Sequence, residues 1–299
     1  MTFLEQEIAT QPDDWARVVQ RLPEVADLLP RPGERVATIG CGTSWFMGQA
    51  YAVLRESLGQ GVTDAFAASE HNLARGYDRV VVITRSGTTS EVIEVVDELR
   101  AAGTPHVAIV ATPGTAVAEA AQSTILLPEV DEQSVVQTRF ATTVLALLRA
   151  SLGESLETAV AQAREVLAED AETAYEGLLD VEQVSFLGRG WTVGLANEAG
   201  LKLRESVQFW AEAYPAMEYR HGPISIATRG RATWAIGDVP EGLAEQVRAT
   251  GAHFEHRDLD PMAELVRLHR YCVVRAAAAG INPDEPRHLT RSIILDPAG

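Results

Sequence analysis

The chain has 299 residues, 46% of them hydrophobic, which is enough apolar material for about two domains that each bury a core. Its 42 acidic and 25 basic residues give a net charge of −17, so we expect no nucleic-acid partner and no anionic membrane partner. Two distant cysteines, Cys41 and Cys272, argue against a disulfide framework, and the absence of an export signal or a long apolar run predicts a cytoplasmic protein.

Short apolar segments alternate with helical patterns along the first half of the chain. A leading helix is predicted over 12–29, and later helices over 46–58 and 90–102. Apolar segments over 35–39, 78–83 and 106–110 are predicted to be strands. Strands that are apolar throughout and alternate with helices are typical of a parallel sheet covered on both faces, so the fold class is α/β.

The second half repeats this pattern after a charged helical stretch at 153–178. A strand over 184–187 leads into a helix over 194–209, and later strands are predicted at 232–236 and 271–274. The tetrad Leu-Arg-Glu-Ser occurs in the corresponding helix of each half. An internal duplication therefore predicts two doubly wound, flavodoxin-like domains in tandem. The predicted boundaries are 1–150 for the leading helix and first domain, 151–180 for a connector, 181–280 for the second domain and 281–299 for a tail that closes the site.

Two loops rich in glycine and hydroxyl side chains follow the first two strands. They contain Gly42, Thr43 and Ser44 in one loop, and Thr84, Arg85, Ser86, Gly87 and Thr89 in the other. Backbone N–H groups and a helix dipole at such a point favour an anion, and the two loops can meet where the strand order reverses. An ordinary capping box formed by Thr88 and Glu91 is the alternative. Because a Walker lysine and an acidic ribose partner are both missing, a small phosphorylated metabolite fits better than a nucleotide.

A carboxylate, an amine and an imidazole come from one later segment. Glu198, Lys202 and Glu205 share one face of the helix over 194–209, and His221 follows in a loop. Such groups can move protons between carbon and oxygen atoms near neutral pH. A surface ion pair and a solvated loop histidine are the alternatives. Lys202 is the only lysine among the 25 basic residues, and an arginine cannot replace an amine that must be compact or lose its proton.

These motifs together resemble the tandem sugar isomerase (SIS) domains of phosphosugar enzymes. The chain is similar to the isomerase half of glucosamine-6-phosphate synthase and to stand-alone amino-sugar-phosphate deaminases and deglycases. The resemblance rests on the segments Cys41-Gly42-Thr43-Ser44, 84–89, 188–190, 198–205, 211–214 and His221-Gly222-Pro223.

The resemblance implies a role for individual residues and an assembly. The implied proton base at C1 and C2 is Glu205, the implied helix lysine is Lys202, and the implied ring-opening histidine is His221, supplied by the neighbouring subunit of a homodimer. The implied phosphate-binding hydroxyls are those of Ser44, Thr84, Ser86 and Thr89. The implied sugar-binding segment runs from Glu132 to Thr138 and includes Val135 and Gln137.

Two positions depart from the synthase pattern. Arg85 stands where the synthase has glutamine, and adds a cation for phosphate or sugar oxygens. Arg291 stands where the synthase has a lysine that forms a Schiff base, and a guanidinium cannot form that imine. No metal or cofactor is expected.

The expected reaction is ring opening of an amino-hexose 6-phosphate followed by removal of the C2 proton, as in an aldose–ketose isomerase or deaminase. One alternative is the same enolisation followed by β-elimination of the C3 substituent of an N-acylated substrate. Another is a non-catalytic phosphosugar sensor, since SIS domains also serve in regulators. The sequence does not choose the sugar, its N-substituent or the product.

Overall fold

The computed structural model describes residues 1–171 and 173–295. Their contacts divide the chain into two units, each assembled from two separate stretches of sequence. The first-sheet unit consists of residues 14–156 and the residues from 290 onward, and the second-sheet unit consists of 1–13 and 157–289.

The leading helix, α1, spans Phe3–Gln20 and contains Pro12 in its interior. The prediction of one helix over 12–29 was therefore wrong in its start and in its continuity, since the helical region ends as a short helix and a 3₁₀ turn over Ala26–Leu28. The helix begins earlier because the Asp284 carboxylate accepts hydrogen bonds from the backbone N–H groups of Phe3 and Leu4, at 2.7 and 2.9 Å. A carboxylate at a helix N-terminus accepts hydrogen bonds from backbone N–H groups that have no partner within the helix. Asp284 lies about 280 positions from Phe3 and Leu4, so the sequence around α1 does not indicate this cap. A four-residue helix, α2 (Leu22–Val25), follows the end of α1.

The first-sheet unit contains five parallel strands in the order β2-β1-β3-β4-β5. The strands are β1 (Val36–Gly40), β2 (Thr63–Ala67), β3 (Arg79–Thr84), β4 (His106–Val110) and β5 (Ser123–Leu126). The helices are α3 (Thr43–Ser57), α4 (Ser90–Ala102), α5 (Ala116–Ala120) and α6 (Arg139–Ser151). The valine-rich interior of β3 and the whole of β4 are buried, as a sheet with helices on both faces requires.

The second-sheet unit contains four parallel strands in the order β7-β6-β8-β9. The strands are β6 (Gln183–Gly188), β7 (Ala211–Pro215), β8 (Arg231–Ile236) and β9 (His253–Glu255). The helices are α7 (Glu157–Ala168), α8 (Thr192–Val207), α9 (Leu243–Ala249) and α10 (Pro261–Ala279). The strand order repeats that of the first four strands of the other sheet, which confirms the predicted tandem α/β architecture.

The strand predicted at 271–274 was wrong, because these residues lie inside α10. Asp260 caps the N-terminus of this helix by accepting a hydrogen bond from the Met262 N–H, and Gly280 ends it in the left-handed conformation. A short apolar run fits a strand or a buried helix equally well. Here the capping residues at the two ends, Asp260 and Gly280, identify the longer segment as a helix. No helix in the described part of the chain is long and apolar enough to cross a membrane.

Candidate functional site

The two predicted phosphate loops lie at the point where the strand order of the first sheet reverses. The loops follow β1 and β3, which are neighbours in the sheet, while the chain crosses from them to opposite edges. Both loops line one small cavity of about 40 Å³. The side chains that line it are those of Cys41, Ser44, Ile83, Thr84, Arg85, Ser86, Thr89, Val92, Gln137 and Arg291. The structure therefore brings seven of the predicted binding residues together.

The loop after β3 is held in a tight turn by its own hydroxyl groups. The Thr84 hydroxyl accepts a hydrogen bond from the Gly87 N–H at 3.3 Å, and the Ser86 hydroxyl accepts one from the Thr88 N–H at 3.2 Å. Gly87 has a φ of +64°, and a Cβ atom there would collide with the hydroxyl of Thr115. Glycine is therefore required at this position for both its backbone conformation and its lack of a side chain.

The hydroxyl groups of this loop do not form the capping box. Helix α4 has Thr89 as its N-cap residue, without a capping hydrogen bond from its side chain. The hydroxyls of Ser86, Thr88 and Thr89 instead converge on the hydroxyl of Ser292, at 3.3, 3.0 and 3.2 Å. The loop thus presents three hydroxyl groups to a single oxygen atom.

Arg85, predicted to provide a cation for substrate oxygens, is buried and bonded to the protein. One terminal nitrogen donates to the Ser134 carbonyl at 2.9 Å and contacts the Glu132 carboxylate at 3.4 Å. The other donates to the carbonyls of Val135 and Arg291, each at 3.1 Å. The guanidinium therefore ties the end of β3 to the 132–135 segment and to the C-terminal residues, and it contributes positive charge beside the cavity.

The segment predicted to bind sugar hydroxyls lies beside the phosphate loops. One oxygen of the Glu132 carboxylate accepts hydrogen bonds from the N–H groups of Thr138 and Arg139, at 2.6 and 2.8 Å, and so caps the start of α6. The Gln137 side-chain oxygen lies 3.5 Å from the Ser44 hydroxyl.

Arg291 contacts the same segment. Its guanidinium pairs with the Asp131 carboxylate and donates to the Glu132 carbonyl. This ion pair balances its charge and fixes the side chain.

A second cluster lies on α8 in the second-sheet unit. The Lys202 side chain is 1% exposed, and its Nζ lies 3.7 Å from Oε1 of Glu198, which is also buried. The same ammonium forms an ion pair with Glu205, whose side chain is 20% exposed. The alternative of a surface ion pair is therefore wrong. Two carboxylates share one ammonium in a place where a lone charge would be costly.

His269, on α10, borders this cluster. Its Nε2 lies 3.8 Å from Glu198 Oε1, and its Nδ1 lies 3.2 Å from the side-chain nitrogen of Gln11, which also donates to the Ile8 carbonyl. Since that nitrogen donates, Nδ1 accepts and Nε2 carries the proton. Burial, reinforced by the charge of Lys202, lowers the pKa of His269 to about 3, so the ring is neutral near pH 7.

His221, the predicted ring-opening residue, lies on the 3₁₀ turn Glu218–His221 in the same unit, where it is exposed rather than buried with Lys202. Ser292 and His269 were not predicted as site residues. Thr88 was placed in the predicted anion-binding loop but was not named among the phosphate-binding hydroxyls. No spacing in the sequence links Ser292 to a loop some 200 positions earlier.

Comparisons with known proteins find a family match and similar proteins. Residues 31–152 match the SIS domain family. The chain is 26% identical over 335 residues to glutamine–fructose-6-phosphate aminotransferase (isomerizing) from Sulfurisphaera tokodaii, covering 98% of this chain and 56% of that protein. A similar enzyme from Aeropyrum pernix is 27% identical over 358 residues, with 98% and 57% covered. The chain thus spans about half the length of these curated relatives.

Two solved structures share the fold of the whole chain. Glucosamine-6-phosphate deaminase from Thermotoga maritima superposes with a TM-score of 0.82 at 22% identity, covering 98% of this chain and 100% of that one. Tagatose-6-phosphate ketose/aldose isomerase from Escherichia coli gives a TM-score of 0.82 at 18% identity, covering 99% and 97%. Residues 31–152 therefore match the SIS domain family, and the chain as a whole shares its two-sheet fold with these two solved structures.

Proposed function

We propose that the chain is an enzyme that isomerises a hexose 6-phosphate by moving a proton between C2 and C1, with an amino-hexose 6-phosphate as the natural substrate class. The observation that carries this proposal is the buried ammonium of Lys202 between Glu198 and Glu205. A binding protein that only senses a sugar gains nothing from burying this charge cluster, because burial of ions costs stability.

The phosphate loops support the choice of a phosphorylated substrate. Three hydroxyls already converge on one oxygen beside the N-terminus of α4, where N–H groups and the helix dipole favour an anion. In the proposal, Ser86, Thr88 and Thr89 hold phosphate oxygens together with Ser44 and Thr84. Arg85 adds positive charge from its buried position without donating directly.

In the proposed chemistry, Glu205 is the base that removes the C2 proton. Its carboxylate takes the C2 proton of the open-chain aldose, and the electrons of the broken C–H bond form an enediolate. The ammonium of Lys202 offsets the negative charge that develops. Glu205 then gives a proton to C1, and the hydroxyl proton of C2 passes to the oxygen on C1, which yields the ketose with no atom gained or lost. With an amine on C2, this proton transfer yields an imine that water hydrolyses to the ketose and ammonia.

His221 is proposed to open the sugar ring, supplied across the boundary of a homodimer. An exposed position on a 3₁₀ turn fits a residue that serves a neighbouring subunit. Arg291 is paired with Asp131, and its guanidinium does not form imines, so the proposed reaction uses no covalent lysine adduct at this position.

The proposal is tested by following the purified protein by NMR in D2O with glucosamine 6-phosphate, fructose 6-phosphate and N-acetylglucosamine 6-phosphate. We expect interconversion of aldose and ketose 6-phosphates, with ammonia released from the free amine. If only the N-acetylated substrate reacts, and it loses its C3 substituent, the result favours the lyase alternative. Binding of these sugars without turnover of any of them contradicts the proposal and favours a sensor.

A further inference from the structure

Three buried side chains from three helices of the second-sheet unit form a row that ends at the charge cluster of α8. Gln11 comes from α1, His269 from α10 and Glu198 from α8, and none of the three is more than 1% exposed. The Gln11 side-chain nitrogen lies 3.2 Å from His269 Nδ1, and His269 Nε2 lies 3.8 Å from Glu198 Oε1. The row connects the first helix of the chain to a carboxylate beside Lys202.

Gln11 determines which nitrogen of the His269 ring carries the proton. Its side-chain nitrogen also donates to the Ile8 carbonyl, which can only accept, so this nitrogen faces the ring as a donor. The low pKa of His269, caused by burial and by the charge of Lys202, keeps the ring neutral. A neutral ring that accepts at Nδ1 has its one proton on Nε2.

The N–H group at Nε2 is a buried donor that finds no hydrogen-bond acceptor within reach among the residues that the structure describes. Folded proteins rarely retain such a group, because a buried donor without an acceptor lowers stability. Glu198 Oε1 is just beyond hydrogen-bond distance, and Lys202 Nζ lies 3.7 Å from the same oxygen. An ammonium and a neutral N–H group thus flank one carboxylate oxygen.

The charge of Glu198 affects how strongly Lys202 holds Glu205. The ammonium pairs with both carboxylates. An ionised Glu198 takes part of the attraction of the ammonium, and Glu205 then remains the stronger base. If Glu198 binds a proton, the ammonium pairs with Glu205 alone and makes it a weaker base.

We propose that His269, held by Gln11, is a positioning residue whose Nε2–H group supports the negative charge of Glu198 and so leaves Glu205 free to act as the base. This inference rests on the proposed proton transfer by Glu205. When Lys202 turns toward the negative charge that develops on the substrate, the Nε2–H group replaces it as the donor to Glu198. In this proposal His269 acts only through Glu198 and does not contact the substrate.

The other ionisable groups around Glu198 keep their charge state near neutral pH. On α8 these are Lys202, Glu205 and Arg204, whose guanidinium stays protonated. On α10, burial raises the pKa of the Cys272 thiol to about 12, so it stays neutral. A change in the pH profile on substitution of His269 therefore reports on the two carboxylates.

Nitrogen NMR of the natural chain, labelled with ¹⁵N-histidine, tests the ring and needs no substrate. We expect His269 to stay neutral between pH 5 and pH 8 with its proton on Nε2. His269→Gln assigns the two ring signals by removing them. A proton on Nδ1, or protonation of the ring near pH 6.5, overturns the inference and leaves the proposed reaction intact.

Kinetics with the hexose 6-phosphate that the natural chain converts test the effect on catalysis. His269→Leu removes the N–H group and should lower kcat at pH 7 about tenfold, the effect of roughly one hydrogen bond, with KM changed less than about twofold. Assay at pH 9 should restore most of this loss, because Glu198 is then ionised without help. His269→Gln keeps a side-chain N–H donor and should retain kcat within about threefold.

His106→Leu is the matched control, because it removes a buried, hydrogen-bonded histidine from the first-sheet unit. It should lose stability but keep the natural kcat and pH profile. An unchanged kcat in His269→Leu, or an equal loss in His269→Leu and His269→Gln that persists at pH 9, contradicts the inference while the activity of the natural chain upholds the proposed reaction. No turnover by the natural chain overturns the proposed reaction and the inference with it.

Discussion

The neutral imidazole of His269 stabilises the charge arrangement around Lys202. A protonated ring at this buried position would place a second cation 3.8 Å from Glu198, in competition with the ammonium. Its low pKa avoids this, because burial and the positive charge of Lys202 both disfavour protonation. The buried cluster therefore keeps one ammonium for two carboxylates across the neutral pH range.

The stability of the protein should fall as the pH is lowered through the range set by this histidine. His269 has a pKa of about 3 in the folded chain and an ordinary value of 6.5 when unfolded, so below about pH 6.5 the unfolded state binds a proton that the folded state does not. The contribution of His269 to the free energy of unfolding is complete above pH 6.5. It is lost as the pH falls toward 3, by about 1.4 kcal/mol for each pH unit. Urea unfolding at pH 7 and pH 5 should show this loss.

The variant His269→Gln, which does not titrate, should have a shallower pH dependence than the natural chain. The exposed His256→Gln is the matched control and should keep the natural slope. Equal slopes for His269→Gln and the natural chain would show that the buried ring is not the group that titrates.

The sequence predicted the members of this cluster but not their surroundings. The spacing of Glu198, Lys202 and Glu205 placed them on one helix face, since positions three and four apart are neighbours on a helix. The spacing did not show whether these side chains are buried, because the same spacing is common on solvated helices. The burial is caused partly by α10, which packs against α8, and α10 was in part mistaken for a strand.

At the scale of elements, the loop after β3 depends on Gly87. An alanine there must adopt a φ of +64° and place its Cβ against the Thr115 hydroxyl. We expect Gly87→Ala to lower the free energy of unfolding by about 1–3 kcal/mol and to weaken binding of hexose 6-phosphates at least tenfold. Urea unfolding and titration calorimetry measure the two effects.

Gly76→Ala is the control for the backbone effect alone. Gly76 has a φ of +74° but no atom near its missing Cβ, and it lies outside the phosphate loops. It should lose stability through strain and retain the affinity for sugar phosphate. A similar loss of affinity in both variants would mean that the shape of the phosphate loop is not what Gly87 protects.

Elements with a strong local signal were predicted well, and those fixed by distant contacts were not. The apolar run of β4 and the helix at 90–102 carry their own signals, and both have the predicted bounds. The start of α1 depends on Asp284, and the placement of Ser292 depends on a fold-back onto the loop after β3. Neither contact has a local signature, because the partners are separated by more than 200 positions.

At the scale of the whole molecule, the proposed homodimer predicts complementation between two inactive variants. Glu205→Gln and His221→Ala should each have little activity alone. After subunit exchange, a mixture should regain part of it, because half of the heterodimer's sites would contain both natural residues. Mixed oligomers can be quantified by native mass spectrometry with one variant isotopically labelled. Verified exchange without regained activity would place both residues in one subunit's site.

The central claim is that Glu205 moves the C2 proton, and solvent deuterium incorporation at C2 tests it most directly. In D2O, with the hexose 6-phosphate that the natural chain converts, we expect Glu205→Gln to slow C2 labelling by about two to four orders of magnitude while the Kd stays unchanged, because the amide keeps the shape of the side chain but not its basicity. Glu245→Gln, on the exposed face of α9, should label at the natural rate. Labelling at the natural rate in Glu205→Gln would contradict the account.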